Sequence, residues 1–337
     1  MSHGLDMFNT EGIARMAHAE LVKPWHHLGQ SFQEGDGIKV CLGKAKMDYQ
    51  ILEAPIMARL PDGSLSPVES HKLIYRSDDK RHLSVMGKNY RPVQFLESYS
   101  MVDDLLQEAP VSIQSLGVLK EGRRSFVCLK IEDDGLETVP GDMLEGYFLI
   151  ADSYDGSLAL TFKSVATNVV CQNTLAIALG ETGRQYKSRH TTGVLGRTNL
   201  DKLRAPFGMS RQSLVDYAEK CKALARVRMS DKEQSEFHRR LILGNKKDTA
   251  FEDMTGQQRR ALGELEWAQY NSPGQEIEGR KGTALGALNS VTFWTSHMKR
   301  TAGSYTENRT QFSVFGTGDK INQEALGLLQ RQYQIAA

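Results

Sequence analysis

The chain has 337 residues, 25% of them charged and 40% hydrophobic, and sets 42 Lys and Arg against 41 Asp and Glu for a formal charge of +1. That is the composition of a globular protein of about two domains, long enough to bury a core without staples, so disorder and small disulfide scaffolds are excluded. No apolar run reaches the ~18 residues needed to span a bilayer, and Met1 to Thr10 lacks the basic-then-apolar order of a secretory leader, so a cytoplasmic protein is expected.

The first 30 residues are mixed, and Pro24-Trp25-His26-His27-Leu28-Gly29 reads as a turn carrying a packed indole. Residues 1–48 are taken as an N-terminal entry segment. From 49 to 87, β-rich runs at 50–60, 72–76 and 82–85 alternate with turn signals at Pro61-Asp62-Gly63 and Ser77-Asp78-Asp79, the pattern of hairpins. Phe95, Tyr99, Val102, Leu105 and Leu106 then recur at helical spacing before Pro110, predicting one helix over 95–108. Runs at 111–119 and 125–131 flank Lys120-Glu121-Gly122-Arg123-Arg124, the composition of a hairpin tip. A second hairpin runs 147–152, turns at Tyr154-Asp155-Gly156-Ser157 and returns over 158–163. Residues 165–170 extend the β-rich stretch, and 171–179 reads as a helix packing on the sheet. Phe126, Val127, Phe148, Ile150, Leu160 and Phe162 are the expected core.

From about residue 210 the pattern becomes helical, with helices expected over 210–228, 230–243, 255–268 and 282–301 and a short terminal helix at 326–329. Ser230 and Glu233 form a Ser-x-x-Glu capping box for the second of these. The reading is an α+β fold in which antiparallel β-hairpins pack with a helix in a central core domain over 49–209, followed by a helical C-terminal region over 210–337.

The neutral total conceals separated charge. From 133 to 155 stand Asp133, Asp134, Glu137, Asp142, Glu145, Asp152 and Asp155 without a single base, whereas 184–211 holds Arg184, Lys187, Arg189, Arg197, Lys202, Arg204 and Arg211 against Asp201 alone. A second basic stretch, 220–247, reads more simply as solvated helix faces. The 184–211 stretch favours a ligand, because its bases lie in Gly-, Ser- and Thr-rich chain with little structural reason to be basic.

Enzyme signatures are missing: there is no P-loop, no Gly-x-Gly-x-x-Gly, no His-Glu-x-x-His, no Gly-x-Ser-x-Gly and no EF-hand loop. Cys41, Cys128, Cys171 and Cys221 form no Cys-x-x-Cys pair and read as small buried hydrophobes. His26-His27 diverge as neighbours and suit joint metal ligation poorly. Asp142, Asp152 and Asp155 could be drawn together as a divalent-metal cluster, although Asp155 is explained more simply by its Asp-Gly turn.

Several separated motifs occur in a particular order: Gly87-Lys88-Asn89-Tyr90-Arg91-Pro92-Val93-Gln94, Tyr154-Asp155-Gly156-Ser157, Asn168-Val169-Val170-Cys171-Gln172-Asn173-Thr174-Leu175, Arg189-His190-Thr191, and 282–298 with Asn289, Thr292 and His297. In this order the chain resembles the phage/plasmid-like family filed as domain of unknown function 932, over roughly residues 20–330. Asn168 departs from that family's pattern, which has Arg before Val-Val-Cys. The hairpin–hairpin–helix core also looks like that of phage single-strand annealing proteins of the Redβ/RecT and Erf type, a likeness at the level of fold.

That likeness implies a non-catalytic protein of phage or plasmid recombination that binds single-stranded DNA along a basic groove and anneals it, with no cofactor or metal, as a ring or helical filament of copies. Its partners would be single-stranded DNA and a phage exonuclease or host single-strand-binding protein. The residues expected at the nucleic acid are Arg123, Arg124, Lys163, Asn173, Arg184, Lys187, Arg189, His190 and Arg197, with Tyr154 and Tyr186 stacking on bases. Two other readings are a phage-encoded protein that acts on a host defence factor, and a metal-dependent nucleic-acid enzyme built on Asp142, Asp152 and Asp155.

Overall fold

The computed structural model describes residues 6–8, 13–20, 29–132, 135–168, 174–177, 186–188, 198–299 and 316–335, with backbone alone at 8, 13, 167–168, 174–177, 186–188, 198–207 and 209–211. The chain divides into two compact units. The first takes residues 1–132, 148–163 and 181–210, and the second takes 133–147, 164–180 and 211–337. The second unit is therefore not helices alone but includes two stretches of the β-rich middle. Among the described residues no helix is long and apolar enough to cross a membrane.

In the first unit, β1 (Met7–Phe8) and β2 (Ile13–Ala14) form a short ladder, and β3 (Met16–Ala19) and β4 (Gln30–Phe32) lie at the end of the main sheet. Helix α1 (Ile38–Lys44) follows. Strands β5 (Ile51–Arg59), β6 (Leu65–Arg76) and β7 (His82–Gly87) make a separate three-stranded antiparallel sheet. The helix expected over 95–108 arrives as α2 (Phe95–Tyr99) and α3 (Met101–Glu108), which meet at Ser100. Strands β8 (Val111–Leu119) and β9 (Arg124–Ile131) are the predicted hairpin, in register from Val111↔Ile131 to Leu119↔Arg124. Its tip bends through Lys120, Glu121 and Gly122, all at positive φ of 52°, 60° and 91°.

The α+β character is as expected, but the helices packed on this sheet are α1 to α3. They bury Ile38, Cys41, Phe95, Tyr99, Val102 and Leu105 with Leu116, Val127, Phe148 and Phe162 of the sheet. Phe126 is the exception among the expected core residues. Period-2 alternation on β9 sends Ser125, Val127, Leu129 and Ile131 inward, so Phe126 falls on the opposite face and packs beside Ala14, Met16 and Leu119.

The next strands are β10 (Leu136–Val139), β11 (Asp142–Ser153), β12 (Leu160–Asn168), β13 (Thr174–Ile177) and β14 (Tyr186–Ser188). The predicted second hairpin is longer than expected, and β13 overturns the helix expected over 171–179: Thr174 to Ile177 pair antiparallel with β12, Ser164 opposite Ile177. A short apolar run fits helix and strand equally well in sequence, and the free edge of β12 decides it.

Helix α4 (Thr198–Arg226) belongs to the first unit up to residue 210 and to the second from 211, and the second unit's other helices are α5 (Asp231–Leu243), α6 (Gly256–Asn271), α7 (Ala284–Phe293) and α8 (Thr317–Tyr333). The terminal helix is far longer than the predicted 326–329. Helix α5 begins at the predicted capping box, Ser230 with Glu233, and α6 begins at a second one, Thr255 with Gln258. Helix α7 is buried from Ala284 to Thr292 on every side, as suits a helix whose residues are mostly apolar and whose polar ones, Asn289, Ser290 and Thr292, are hydrogen-bonded. It continues into a π-helical turn, Trp294–Met298. A Cβ on Gly286 would collide with the carbonyl oxygen of Arg280, so glycine lets α7 approach the loop before it.

Candidate nucleic-acid interface

Of the residues expected at the nucleic acid, Arg123 and Arg124 are brought together with the second hairpin's turn. The Tyr154 N–H donates to the Arg123 carbonyl at 2.8 Å, and Arg124 Nε donates to Ser157 Oγ at 2.8 Å. Arg123 is exposed, 3.8 Å from the Glu121 carboxylate. Lys163 does not belong with them. Both faces of β12 are covered from Leu160 to Ala166, and Lys163 is 3% exposed, so its ammonium cannot meet a phosphate on the surface. Tyr154 is likewise fully buried, packed edge-on against Phe95 at 5.4 Å, and cannot stack on a base. Tyr186 and Lys187 sit on β14 opposite Phe162 and Thr161. Asn173, Arg184, Arg189, His190 and Arg197 lie outside the described residues.

The acidic trio is dispersed. Asp142, buried in the second unit, pairs with Arg280 and accepts from Thr138 Oγ1 at 2.6 Å. Asp152, buried in the first unit, accepts from Ser98 Oγ at 3.0 Å and the Ser153 N–H at 2.8 Å. Asp155 caps its own turn through the Ser157 N–H at 2.9 Å. Among the described residues no three of His, Cys, Asp and Glu converge as metal ligands. Cys41 and Cys221 are buried, and burial, the leading cause in each case, pushes both thiols up to about 12, so neither of these two is a thiolate nucleophile.

A different surface, within the second unit, combines aromatic rings with cations. Helices α5 and α6 run side by side and leave a groove of about 590 Å³. Lys232, Arg239 and Asp231 line it from α5, Arg259, Glu266 and Tyr270 from α6, and Phe251 from the chain between the two helices. Phe251 is 59% exposed and Tyr270 56%. The Arg259 guanidinium lies 5.6 Å from the centre of the Phe251 ring, and Arg239 holds the preceding loop through the Lys247 carbonyl at 3.0 Å and that of Thr249 at 2.5 Å. Partial desolvation of the hydroxyl, with the Asp231 charge and a hydrogen bond to it, raises the Tyr270 phenol while its ring stays open to solvent.

His238 lines this groove from within and is 2% exposed. Burial lowers it to about 4. Its Nε2 lies 2.8 Å from Ser290 Oγ, and that hydroxyl spends its own proton on the Ala287 carbonyl at 2.7 Å. Nε2 is therefore the donor, and the neutral ring carries its proton there.

The other flank of α6 presents Trp267, 49% exposed, in a file of rings with Phe293 at 6.3 Å and His297 a further 4.7 Å on. Lys299 lies 4.4 Å from the centre of the Trp294 ring, whose indole N–H donates to Glu264 at 2.7 Å. Sequence reading missed these rings, although the signal was present. The apolar stripe of α6 is Ala261, Leu265 and Ala268, and neither Trp267 nor Tyr270 falls on it, which makes both of them exposed aromatics.

An α+β protein with a buried ionic core and an aromatic, cation-edged helical surface is the class that fold and surface define. The chain belongs to the DUF932 family, described as a domain of unknown function, which it matches over residues 82–315. Neither a search of curated proteins nor a search of solved structures finds a match.

Proposed function

We propose that this protein binds single-stranded nucleic acid without regard to sequence, assembles on it in several copies, and promotes annealing without catalysing a covalent step. The observation that carries this reading is the α5–α6 groove, where Phe251 and Tyr270 offer exposed rings beside Lys232, Arg239 and Arg259. Base stacking on rings is indifferent to sequence, because every base has a π-face, and flanking cations neutralise the phosphates that follow. A duplex hides its base faces, so the surface favours single strands. DNA is the substrate we assign, as a member of recombination machinery would require.

The test is fluorescence anisotropy of labelled single- and double-stranded DNA against the full chain across salt. The expected result is tighter, salt-sensitive binding of the single strand. Phe251→Ala with Tyr270→Ala should weaken it by about 1–3 kcal/mol per lost stack, and Lys232→Glu should lower the salt slope by about one. Unchanged affinity in a folded double variant, or no retention at low salt, would sink the proposal. Charge reversal at Arg184, Lys187 and Arg189 then asks whether the basic stretch at 184–211 contributes.

A further inference from the structure

We infer that the Tyr270 end of the α5–α6 groove discriminates among the bases that stack there and prefers guanine, whose Watson–Crick edge donates to the Glu266 carboxylate. This rests on the reading of the groove as a single-strand site and adds to it a bias at one base position, the rest of the strand staying free in sequence. The observation behind it is that charge is segregated along the groove. Tyr270 donates its hydroxyl to the Asp231 carboxylate, so the last turn of α6 lies beside the first turn of α5 and the two helices run antiparallel. At the other end Arg239 and Arg259 hold the chain that joins the helices, Arg239 through the Thr249 carbonyl and Arg259 through that of Phe251 at 3.4 Å. Arg259 and Glu266 stand seven residues apart, two turns along one stripe of α6, which separates them by ~10 Å. One end of the groove thus joins the Phe251 ring to two guanidiniums, and the other joins the Tyr270 ring to two carboxylates and the ammonium of Lys232. Glu252 and Asp253 follow Phe251 in the chain but are not among the residues that line the groove.

A strand meets the two ends differently. Its phosphates are drawn to the arginines and repelled by the acids, so what it must offer at Tyr270 is a base edge that donates. The two carboxylates there are not equivalent. Asp231 spends an acceptor on the Tyr270 hydroxyl and fixes where that end of the ring sits. Glu266, one turn before Tyr270 on the same stripe, is exposed and makes no hydrogen bond or ion pair with any described residue. An ionised carboxylate only accepts, and it takes two donors side by side. Guanine has that pair, its N1–H beside its 2-amino group. Adenine and cytosine each set one amino group beside a ring nitrogen that is itself an acceptor, and thymine sets one N–H between two carbonyls, so each turns a lone pair toward the carboxylate. The middle of the groove leaves room for the base: Gly263 lines it, and a Cβ built there would meet no neighbour within 4 Å.

The experiment is competition anisotropy of the full chain at low salt with short DNA strands, within the ~4–16 nucleotides of a single-strand site. One strand is all thymine, and three others carry a single guanine, hypoxanthine or adenine at the centre, which also prevents quadruplexes. Guanine should bind at least about fivefold tighter than thymine, the low end for a two-bond contact to a base edge. Hypoxanthine, which lacks the 2-amino group, should fall between them, and adenine should match thymine. Glu266→Ala should bring the guanine-to-thymine ratio to about one and at the same time tighten the all-thymine strand, because a charge that repels phosphate is gone; a variant that had merely lost its helix would weaken every strand together. Phe251→Ala, at the other end, should weaken all four strands and keep their order. Equal binding of the four strands by the parent, or a guanine preference that survives Glu266→Ala, overturns the inference while leaving the groove a single-strand site. No retention of any strand overturns both. Uptake of an arginine-rich peptide, lost in Glu266→Ala and without strand binding, also overturns both by assigning the carboxylates to a protein partner.

Discussion

The two units handle buried charge in opposite ways. In the first, Asp6 is held by Arg76, by Arg15 Nε at 3.1 Å and by Arg81 at 3.2 Å, while Arg76 also grips Asp78 at 2.8 Å. The Arg15 and Arg76 guanidiniums both lie against the Tyr49 ring, at 4.8 and 4.4 Å from its centre. Burial raises Asp78, but the hydrogen bond and charge of Arg76 outweigh it and hold the carboxyl at about 2. Burial likewise raises the Tyr49 phenol well above its ordinary range, so this ring is a platform for cations and not a nucleophile. In the second unit, Asp142 has Arg280 as its one bridging cation among the described residues. Networked charge in the first unit is redundant; the lone pair in the second is not.

The largest expected effect tests that difference. Arg280→Met leaves Asp142 buried and uncompensated, which should cost about 3–5 kcal/mol in denaturant unfolding, whereas Arg76→Met leaves Asp6 two other cations and should cost less. Adding Asp142→Leu to Arg280→Met should recover most of the loss, since removing both ions removes the desolvation penalty with them. Trp267 and Trp294 fall in the second unit and Trp25 in the first, so tryptophan fluorescence in a Trp25→Phe background reports the transition that should move. Equal losses in the two single variants would break the comparison.

A second effect also belongs to the second unit. His238 has a folded value of about 4, below the ordinary 6.5 that it regains on unfolding. The unfolded chain therefore binds the extra proton between those values, so stability is fully present above pH 6.5 and falls as pH drops toward 4. The loss should reach roughly 3 kcal/mol, at 1.36 kcal/mol per pH unit. His238→Gln, which keeps a donor for Ser290, should flatten that limb of the profile; a profile equally steep without the imidazole would assign the acid sensitivity elsewhere.

Local chemistry made much of the fold legible. Turn residues between alternating runs placed β8 and β9, and Ser-x-x-Glu placed the start of α5, because each rests on a few adjacent residues. Lys163, Phe126 and the 171–179 segment were misread for a shared reason: which face of a strand is covered, and which edge is free, depends on neighbours distant in sequence. The expected site suffered most from this. Basic residues reveal where charge is dense along the chain, but Lys163 and Tyr154 show that density does not imply exposure. The α5–α6 groove forms only when two helices with unremarkable sequences lie side by side.

The smallest expected effect compares the two capping boxes on either side of that groove. At α5, Ser230 Oγ accepts from the Glu233 N–H at 3.3 Å while the Glu233 carboxylate accepts from the Ser230 N–H at 2.8 Å; at α6 Thr255 and the neutral Gln258 make the same exchange, at 3.2 and 2.9 Å. The hydrogen bonds from the Ser230 hydroxyl and backbone lower the Glu233 carboxyl, so it stays ionised. Ser230→Ala and Thr255→Ala each remove a cap and should each cost about 1 kcal/mol. Glu233→Gln converts the first box into the chemistry of the second and keeps its acceptor, so only the attraction between carboxylate and helix N-terminus is lost, a smaller effect than losing the cap itself. That term is screened by salt and the hydrogen bonds are not, so in ~1 M salt the Glu233→Gln cost should vanish while the Ser230→Ala cost persists. A Glu233→Gln penalty that survives high salt would mean that the carboxylate, unlike the Gln258 amide, holds the first turn of α5 by geometry, and would make this wall of the groove the more rigid of the two.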